Sequence, residues 1–153
     1  QCWNSVISLK SKNFHIDDVD PHEHINKIRF HNNKTKYLSE AKEKFKILKD
    51  KLNELKEGYR IREWLVENIN GMGLKESSHF LRNIGYENLA ILDRHILKNL
   101  KKYGAINEIP KTLTKKKYFE IEEKFKEFSN EVGISMDEID LLFWSMETGE
   151  IFK

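Results

Sequence analysis

The chain has 153 residues, of which 39% are hydrophobic and 34% are charged, and its formal net charge is +2. This length suits one domain or two small helical lobes, while two prolines and seven glycines are too few for a collagen-like, low-complexity or turn-rich all-β chain. The single cysteine, Cys2, excludes an internal disulfide framework, a four-cysteine iron–sulfur cluster and a cysteine-based zinc finger. No apolar run approaches the about 18 residues of a membrane span, so we expect a cytoplasmic, intracellular, all-α protein that contacts no membrane.

Helices are predicted along almost the whole chain, and no segment alternates with the period of a strand. The chain opens within a helix, and Pro21 after Asp20 is typical of the first turn of a short helix that reaches about Ile28. Apolar residues at steps of three and four then predict one long amphipathic helix over 34–57, ended by Gly58. A coiled coil fits the same spacing, but six apolar positions are too few for a sustained heptad repeat.

The second half of the chain continues in helices that have recognisable ends. Thr114 can cap one of them, and Ser135 with Glu138 has the pattern of a capping box at the start of the last one. Glycines follow most of the predicted ends, as expected for helix termination. The helices predicted for this part are 61–70, one that ends by about residue 84, 93–103, 115–132 and 136–148.

The charge is unevenly distributed along the sequence. Residues 93–117 carry a net charge of +6, whereas residues 118–150 carry a net charge of −8. Clustered lysine and arginine are typical of proteins that bind a polyanion such as nucleic acid. The alternative is a solvated, lysine-rich surface with no partner.

Two glycines flank one apolar residue between two amphipathic helices, in the order Gly71-Met72-Gly73. A helix–hairpin–helix motif needs this arrangement, because the glycines permit the tight turn and the apolar residue fills the gap between the helices. The free amides at the start of the second helix can then hold a phosphate group. A plain helical hairpin without a ligand is the alternative.

Two charged residues next to this hairpin carry a family resemblance. Lys75 lies in the first turn of the second helix, and Asp93 follows eighteen residues later at the start of another helix. The stretch Gly-Met-Gly-Leu-Lys-Glu-Ser-Ser-His-Phe-Leu-Arg-Asn at 71–83, followed by Ala-Ile-Leu-Asp-Arg-His-Ile-Leu at 90–97, resembles the helix–hairpin–helix DNA glycosylases. Within them it is most similar to the archaeal and thermophile-type 8-oxoguanine DNA glycosylase/AP lyases.

The resemblance extends over nearly the whole chain, 1–153, and implies a two-lobed helical bundle with the active site in the cleft between the lobes. The central lobe would span about 20–103 and contain the helix–hairpin–helix motif at 60–84. The helices of about 104–153 would belong to the other lobe. The family normally has further helices before the position of Gln1.

The resemblance implies that Lys75 is the nucleophile that attacks the sugar C1′ and forms a Schiff base, which permits strand cleavage by β-elimination. A lysine with the ordinary pKa of about 10.4 is neutral in only about one molecule in 2,500 at pH 7. We therefore expect burial and the positive end of its helix to lower the pKa of Lys75. Asp93 would be the second catalytic residue, stabilising positive charge on the sugar or managing protons. The alternative for Asp93 is a helix cap alone.

A base removed from duplex DNA must leave the stack and enter a pocket. The resemblance implies that Phe30 and Trp144 enclose that base on two sides, and that Lys153 helps to recognise the oxidised guanine. From the residues alone, Trp144 beside Phe143 also fits a core position, and Lys153 also fits a disordered end. Phe30 is harder to explain as a core residue, because its neighbours are polar.

The remaining expected site residues contact DNA or support the motif. Gly71 and Gly73 are expected to bind the DNA backbone, and the resemblance adds Arg29 and Arg82 as DNA-binding residues. His79 lies one turn after Lys75, and His95 follows Asp93. Both belong to the family motif, so we expect them to orient the site and not to hold a metal. We expect no catalytic metal and no cofactor. The residues expected to contact DNA are Gly71, Gly73, Arg29 and Arg82, and those expected to support the motif are His79 and His95.

The sequence therefore predicts a bifunctional DNA N-glycosylase and AP lyase of base-excision repair. Its expected partner is double-stranded DNA containing 8-oxoguanine or an abasic site, and we expect a monomer. The alternatives are a non-catalytic helix–hairpin–helix DNA-binding module and a glycosylase for another damaged base. The pairing of Lys75 with Asp93 favours the enzyme, because a module that only binds DNA has no need of both residues.

Overall fold

A computed structural model of the chain describes residues 2–149, and this part of the chain contains helices and loops but no strand. The all-α prediction is therefore confirmed for these residues. The nine helices of the described part are α1 (Cys2–Ser11), α2 (Pro21–Ile25), α3 (His31–Glu43), α4 (Phe45–Glu54), α5 (Gly58–Asn68), α6 (Leu74–Asn83), α7 (Arg94–Lys102), α8 (Lys115–Val132) and α9 (Met136–Thr148). No helix within residues 2–149 is long and apolar enough to cross a membrane.

The helices form two compact units. The first unit contains the chain up to Leu55 together with Glu67–Gly71, and the second contains Lys56–Val66 and the chain from Met72 onward. The lobes expected from the sequence, about 20–103 and 104–153, follow a different division of the chain and stay a prediction.

The first unit differs from the sequence prediction in one long element. The single helix predicted over 34–57 is wrong, because it is two helices, α3 and α4, that meet at Lys44. The backbone of Lys44 has φ −86° and ψ 0°, which is not helical, and its ammonium donates to the backbone carbonyl of Asn68 at 2.6 Å. No glycine or proline marks this break, and hydrogen bonds from the amide of Lys44 to Glu40 and from the amide of Leu48 to Lys44 still span it. The short helix α2 also ends earlier than predicted, at Ile25, although Asp20 caps it as expected.

The core of the second unit is built from α7, α8 and α9 and from the segment before α7. Its buried members include Leu92, Leu100, Phe125 and Phe143. The rings of Phe125 and Phe143 stack with their centroids 6.4 Å apart. Burying such aromatic rings contributes much of the stability of a small helical unit.

The helix ends of the second unit follow the capping rules. The Thr114 side chain accepts from the amide of Lys117 at the start of α8, and the capping box of Ser135 and Glu138 at the start of α9 is confirmed. Gly58 does not end a helix as predicted but begins α5. A Cβ atom there would lie 3.2 Å from the side chain of Leu89, so close packing favours glycine at this position.

Candidate active site

A cavity of about 610 Å³ in the second unit brings together five of the residues expected to form the site. The apolar side chains of Ile91 and Leu141 complete part of its wall. Residues far apart in the sequence, on α6, α9 and the segment before α7, thus meet at one concave surface. The expected residues that line it are Lys75, His79, Arg82, Asp93 and Trp144, and they are joined by Asp140.

Lys75 is the second residue of α6, whose N-cap is Gly73. At this place the unpaired amides of the first turn give the helix end a partial positive charge. The Lys75 side chain is 45% exposed, and its Nζ lies 3.0 Å from Oε1 of Glu76. The expected burial of Lys75 is therefore not found, and its ammonium is paired with a neighbouring carboxylate instead.

Asp93 occupies the N-cap of α7, with the extended backbone that this position requires. Its Oδ1 accepts hydrogen bonds from the amides of His95, at 2.8 Å, and Ile96, at 2.9 Å. The capping role predicted as an alternative is confirmed. Because Asp93 also lines the cavity, capping places the carboxylate at the site and does not exclude a catalytic role.

Arg82 lies deep in the wall of the cavity, with its side chain 12% exposed. Its Nε lies 3.1 Å from Oδ1 of Asp137, and a guanidinium nitrogen forms an ion pair with Asp140. These contacts join α6 to α9 and occupy most of the guanidinium. The expected DNA contact of Arg82 stays a prediction, and its burial does not favour it.

Asp140 is a buried carboxylate in the cavity wall that sequence reasoning did not identify. Burial raises the pKa of Asp140 to about 6 from 3.8, and the nearby Arg82 guanidinium opposes this rise. The carboxyl group can therefore change its protonation state near neutral pH. One signal for it existed, since Asp140 precedes Trp144 by one helical turn and so shares its face of α9.

The two histidines of the motif lie near the site in different ways. His79 is exposed and lines the cavity. His95 is half-buried, and its Nδ1 lies 3.6 Å from Oε2 of Glu147 on α9. The hydrogen bond from Lys98 lowers the pKa of Glu147, so this carboxylate stays charged beside the imidazole. Within residues 2–149, no group of three or more His, Cys, Asp or Glu side chains is arranged to hold a metal ion.

Phe30 and Arg29 belong to the first unit. Phe30 has a left-handed backbone, with φ 60°, and its ring is 62% exposed. The Arg29 guanidinium lies 4.5 Å from the centre of that ring. A bulky residue in the left-handed region costs about 1–2 kcal/mol, and such strain is concentrated at functional sites. An exposed, strained aromatic is consistent with a ligand-contacting role.

The other expected base contacts have different outcomes. Trp144 is half-buried on α9 and lines the cavity, so it is not a fully buried core residue. Its pairing with Phe30 around a base stays a prediction. Lys153 lies outside the described residues, and its role in recognising the oxidised base also stays a prediction.

The two hairpin glycines differ in how strictly their positions require glycine. Gly71 has φ +84°, and a Cβ atom there would lie 2.6 Å from Cδ2 of Tyr37. Gly73 has an ordinary φ of −79°, and its Cβ would meet only the flexible carboxylate of Glu76, at 3.0 Å. Backbone conformation and packing therefore require glycine at Gly71. Gly73 is the N-cap of α6, and no side-chain hydrogen bond is formed by this cap.

Comparisons with known proteins identify the family of the chain. The family model for 8-oxoguanine DNA glycosylase matches residues 1–134. A protein of Fusobacterium nucleatum named 8-oxoguanine DNA glycosylase/AP lyase is 50% identical, over 99% of this chain and 73% of its own length. A protein of the same name from Methanocaldococcus jannaschii is 44% identical, over 82% of this chain and 60% of its own length.

Solved structures give the same result at the level of the fold. The 8-oxoguanine glycosylase/lyase of Methanocaldococcus jannaschii, in complex with 15mer DNA containing 8-oxoguanine, superposes with a TM-score of 0.85 at 35% identity, covering 100% of this chain and 76% of that one. The 8-oxoguanine DNA glycosylase of Thermotoga maritima superposes with a TM-score of 0.82 at 31% identity, covering 100% of this chain and 75% of that one. The cavity residues, the family model and these relatives together show that the chain belongs to the 8-oxoguanine DNA glycosylase family of helix–hairpin–helix proteins.

Proposed function

We propose that this chain removes 8-oxoguanine from duplex DNA and then cuts the strand at the abasic site. The observation that carries the proposal is that one cavity contains both Lys75 and Asp93 and is flanked by the aromatic side chain of Trp144. The names of its relatives, which are 8-oxoguanine DNA glycosylase/AP lyases, support the same activity.

In the first step, the neutral amine of Lys75 attacks C1′ of the flipped nucleotide. A bond forms between Nζ and C1′, the glycosidic bond breaks, and the base leaves with the electron pair and takes up a proton. Positive charge develops on the sugar as the base departs. Asp93 stabilises that charge, because a fixed carboxylate in a partly desolvated cavity interacts with a cation more strongly than water does.

In the second step, the amine nitrogen loses a proton, the C1′–O4′ bond breaks and O4′ takes up a proton, which opens the sugar ring and gives a protonated Schiff base on Lys75. This iminium acidifies the proton on C2′. Loss of that proton breaks the C3′–O bond and cuts the strand, and water then releases the sugar remnant and restores the amine. Glu76, which lies 3.0 Å from Nζ in the free chain, gives the resting ammonium a partner.

The DNA backbone is bound by the hairpin and by the basic surface. We assign a phosphate to the first-turn amides of α6 beyond Gly73, where the helix dipole favours an anion. The lysines of residues 93–117 add attraction that depends on salt concentration. Some of this charge is already paired, since Lys98 contacts Glu147 and Lys115 contacts Glu63. The monomeric state stays a prediction.

The test uses duplexes that carry 8-oxoguanine, normal guanine or a preformed abasic site, with borohydride to trap the Schiff base. The unchanged chain should give a trapped adduct with 8-oxoguanine and abasic duplexes and none with guanine. Lys75→Gln should give no trapped adduct. Lys46→Gln, at an exposed lysine of α4, is its matched control for the loss of one positive charge. Binding without any trapped adduct would instead favour a non-catalytic DNA-binding module, and trapping only with another lesion would favour a different substrate.

A further inference from the structure

Residues 89–93, which end at Asp93, adopt no regular secondary structure, yet Leu89, Ala90 and Leu92 are buried. Side chains of α8 satisfy the backbone of this segment. The amide of Ala90 donates to Oε1 of Glu122 at 2.8 Å, and the hydroxyl of Tyr118 donates to the carbonyl of Ala90 at 2.6 Å. The Tyr118 hydroxyl also accepts from the amide of Leu92 at 3.5 Å. Helix α8 therefore fixes the backbone immediately before Asp93.

Glu122 is held in turn by Arg62, whose side chain is 0% exposed. The two terminal nitrogens of the guanidinium each lie 2.6 Å from one carboxylate oxygen, which is the bidentate geometry of the strongest ion pairs. The same guanidinium donates to the hydroxyl of Ser78 at 3.1 Å. Ser78 is on α6, three residues after Lys75. One buried arginine thus contacts the helix that carries Lys75 and, through Glu122, the segment that carries Asp93.

We propose that the buried network of Arg62, Ser78, Tyr118 and Glu122 positions Lys75 relative to Asp93 for catalysis. The inference rests on the proposed function for its kinetic consequences. The four residues are buried and do not line the cavity, so they are positioning residues and not catalytic residues. They act by holding two segments at a fixed separation.

Stability alone is a weak reason for such a network. Burying an ion pair costs desolvation energy that its mutual attraction often only offsets, and well-packed apolar residues serve as well or better. A fixed arrangement of two catalytic groups, in contrast, requires directional bonds. Burial also raises the pKa of Tyr118 to about 12, so its hydroxyl stays protonated and donates to Ala90 throughout the working pH range.

The test removes one hydroxyl at either end of the network and leaves the ion pair in place. Tyr118→Phe removes the hydrogen bonds to the carbonyl of Ala90 and the amide of Leu92, and Ser78→Ala removes the hydrogen bond from Arg62 to α6. Because a displacement of about 1 Å at an active site can cost up to about 100-fold in rate, we expect kcat for 8-oxoguanine excision to fall about tenfold, with KM changed less than about twofold. The kcat of the double variant should be little lower than that of the more impaired single variant, because both substitutions loosen the same spacing between Lys75 and Asp93.

Two control variants lose a hydroxyl group that forms no hydrogen bond to the network, and the Tyr59 ring that lies 5.2 Å from the Arg62 guanidinium stays in place. Tyr59→Phe removes a hydrogen bond from a tyrosine hydroxyl to the carbonyl of Asn88, at 3.3 Å. Ser129→Ala removes a buried serine hydroxyl that donates within α8 to the carbonyl of Lys126, at 2.8 Å. Both controls should keep the kcat of the unchanged chain. Melting temperatures of all variants show whether a loss of rate reflects unfolded protein.

Amide hydrogen exchange gives a readout that does not depend on activity. The amides of His95 and Ile96, which Asp93 caps, should exchange faster in Tyr118→Phe and at the normal rate in Tyr59→Phe. Unchanged exchange together with unchanged kcat in both network variants would overturn the inference, as would a rate loss explained by the unfolded fraction. Failure of the proposed function is a separate result, because it would appear as no trapped adduct with the unchanged chain.

Discussion

Substitutions of Asp93 can separate its role in stability from its role in catalysis. Its Oδ1 caps α7 through two hydrogen bonds of 2.8 and 2.9 Å. Asp93→Asn keeps an oxygen that can accept both bonds, so the free energy of unfolding should change by less than about 0.5 kcal/mol. Asp93→Ala loses the cap and should cost about 1–2 kcal/mol, which lowers the melting temperature by about 3 °C per kcal/mol for a chain of this length.

The two variants should be alike in catalysis although they differ in stability. Removing the charge that faces the developing cation should slow excision by about 100- to 1,000-fold, which corresponds to about 3–4 kcal/mol in the barrier. Single-turnover excision of 8-oxoguanine and thermal unfolding measure the two effects on the same samples. If Asp93→Asn excised the base at the normal rate, Asp93 would be a cap and nothing more.

Three further predictions concern the nucleophile, the hairpin and the buried carboxylate. Lys75→Gln should still bind 8-oxoguanine duplex but give no borohydride-trapped adduct, and full trapping would contradict the assignment. Gly71→Ala should lower the free energy of unfolding by about 2–5 kcal/mol in urea titrations, from left-handed strain and displacement of Tyr37, whereas Gly73→Ala should stay within about 1 kcal/mol. Bulkier replacements at either glycine should weaken binding to damaged and undamaged duplexes alike, and a loss limited to damaged DNA would be inconsistent with phosphate binding. Because burial raises the pKa of Asp140 to about 6 from 3.8, the folded chain keeps a proton that the unfolded chain releases. The stabilisation from this proton is fully present below the unfolded pKa, and about 3 kcal/mol of stability should be lost as the pH rises through the folded pKa, between about pH 3 and pH 7. Asp140→Asn should remove that slope, and an identical slope in both proteins would show that another group titrates.

Local chemistry in the sequence was sufficient to predict much of the fold. The cap at Asp93, the capping box of Ser135 and Glu138, and the glycine stop after α8 each depend on residues within one helical turn. Such signals act over short distances and can be read directly. The hairpin glycines likewise placed Lys75 correctly at the start of α6.

The errors arose where tertiary contacts override local preference. Nothing in the residues around Lys44 predicts a break, since lysine is a good helix former, and in the structure its ammonium contacts the distant Asn68. By itself, a glycine such as Gly58 fits either end of a helix. In the structure Gly58 begins α5 and packs closely against Leu89. The burial expected for Lys75 was wrong because its own helix supplies Glu76 as a partner.

The parts of the site that escaped prediction are buried polar residues. Arg62 and Glu122 are 60 positions apart, and in the sequence both look like ordinary surface charges of amphipathic helices. Only the folded chain shows that they face each other. Asp140 was within reach of prediction, because it shares a helical face with Trp144, but its charge suggested solvent exposure.

The pairing of Arg62 with Glu122 also has a consequence for the order in which the chain folds during synthesis. A ribosome makes the helix that carries Arg62 well before the helix that carries Glu122, and at about 5–20 residues per second the interval lasts several seconds. Throughout that time the Arg62 guanidinium lacks both its carboxylate partner and the α8 rings of Tyr118 and Phe119 that lie against it, so it stays in water. The helix pair α5 and α6 therefore does not reach its final packing as an independent early unit. Its maturation awaits α8, and a nascent or truncated chain that ends before Glu122 would expose this surface to chaperones and proteases.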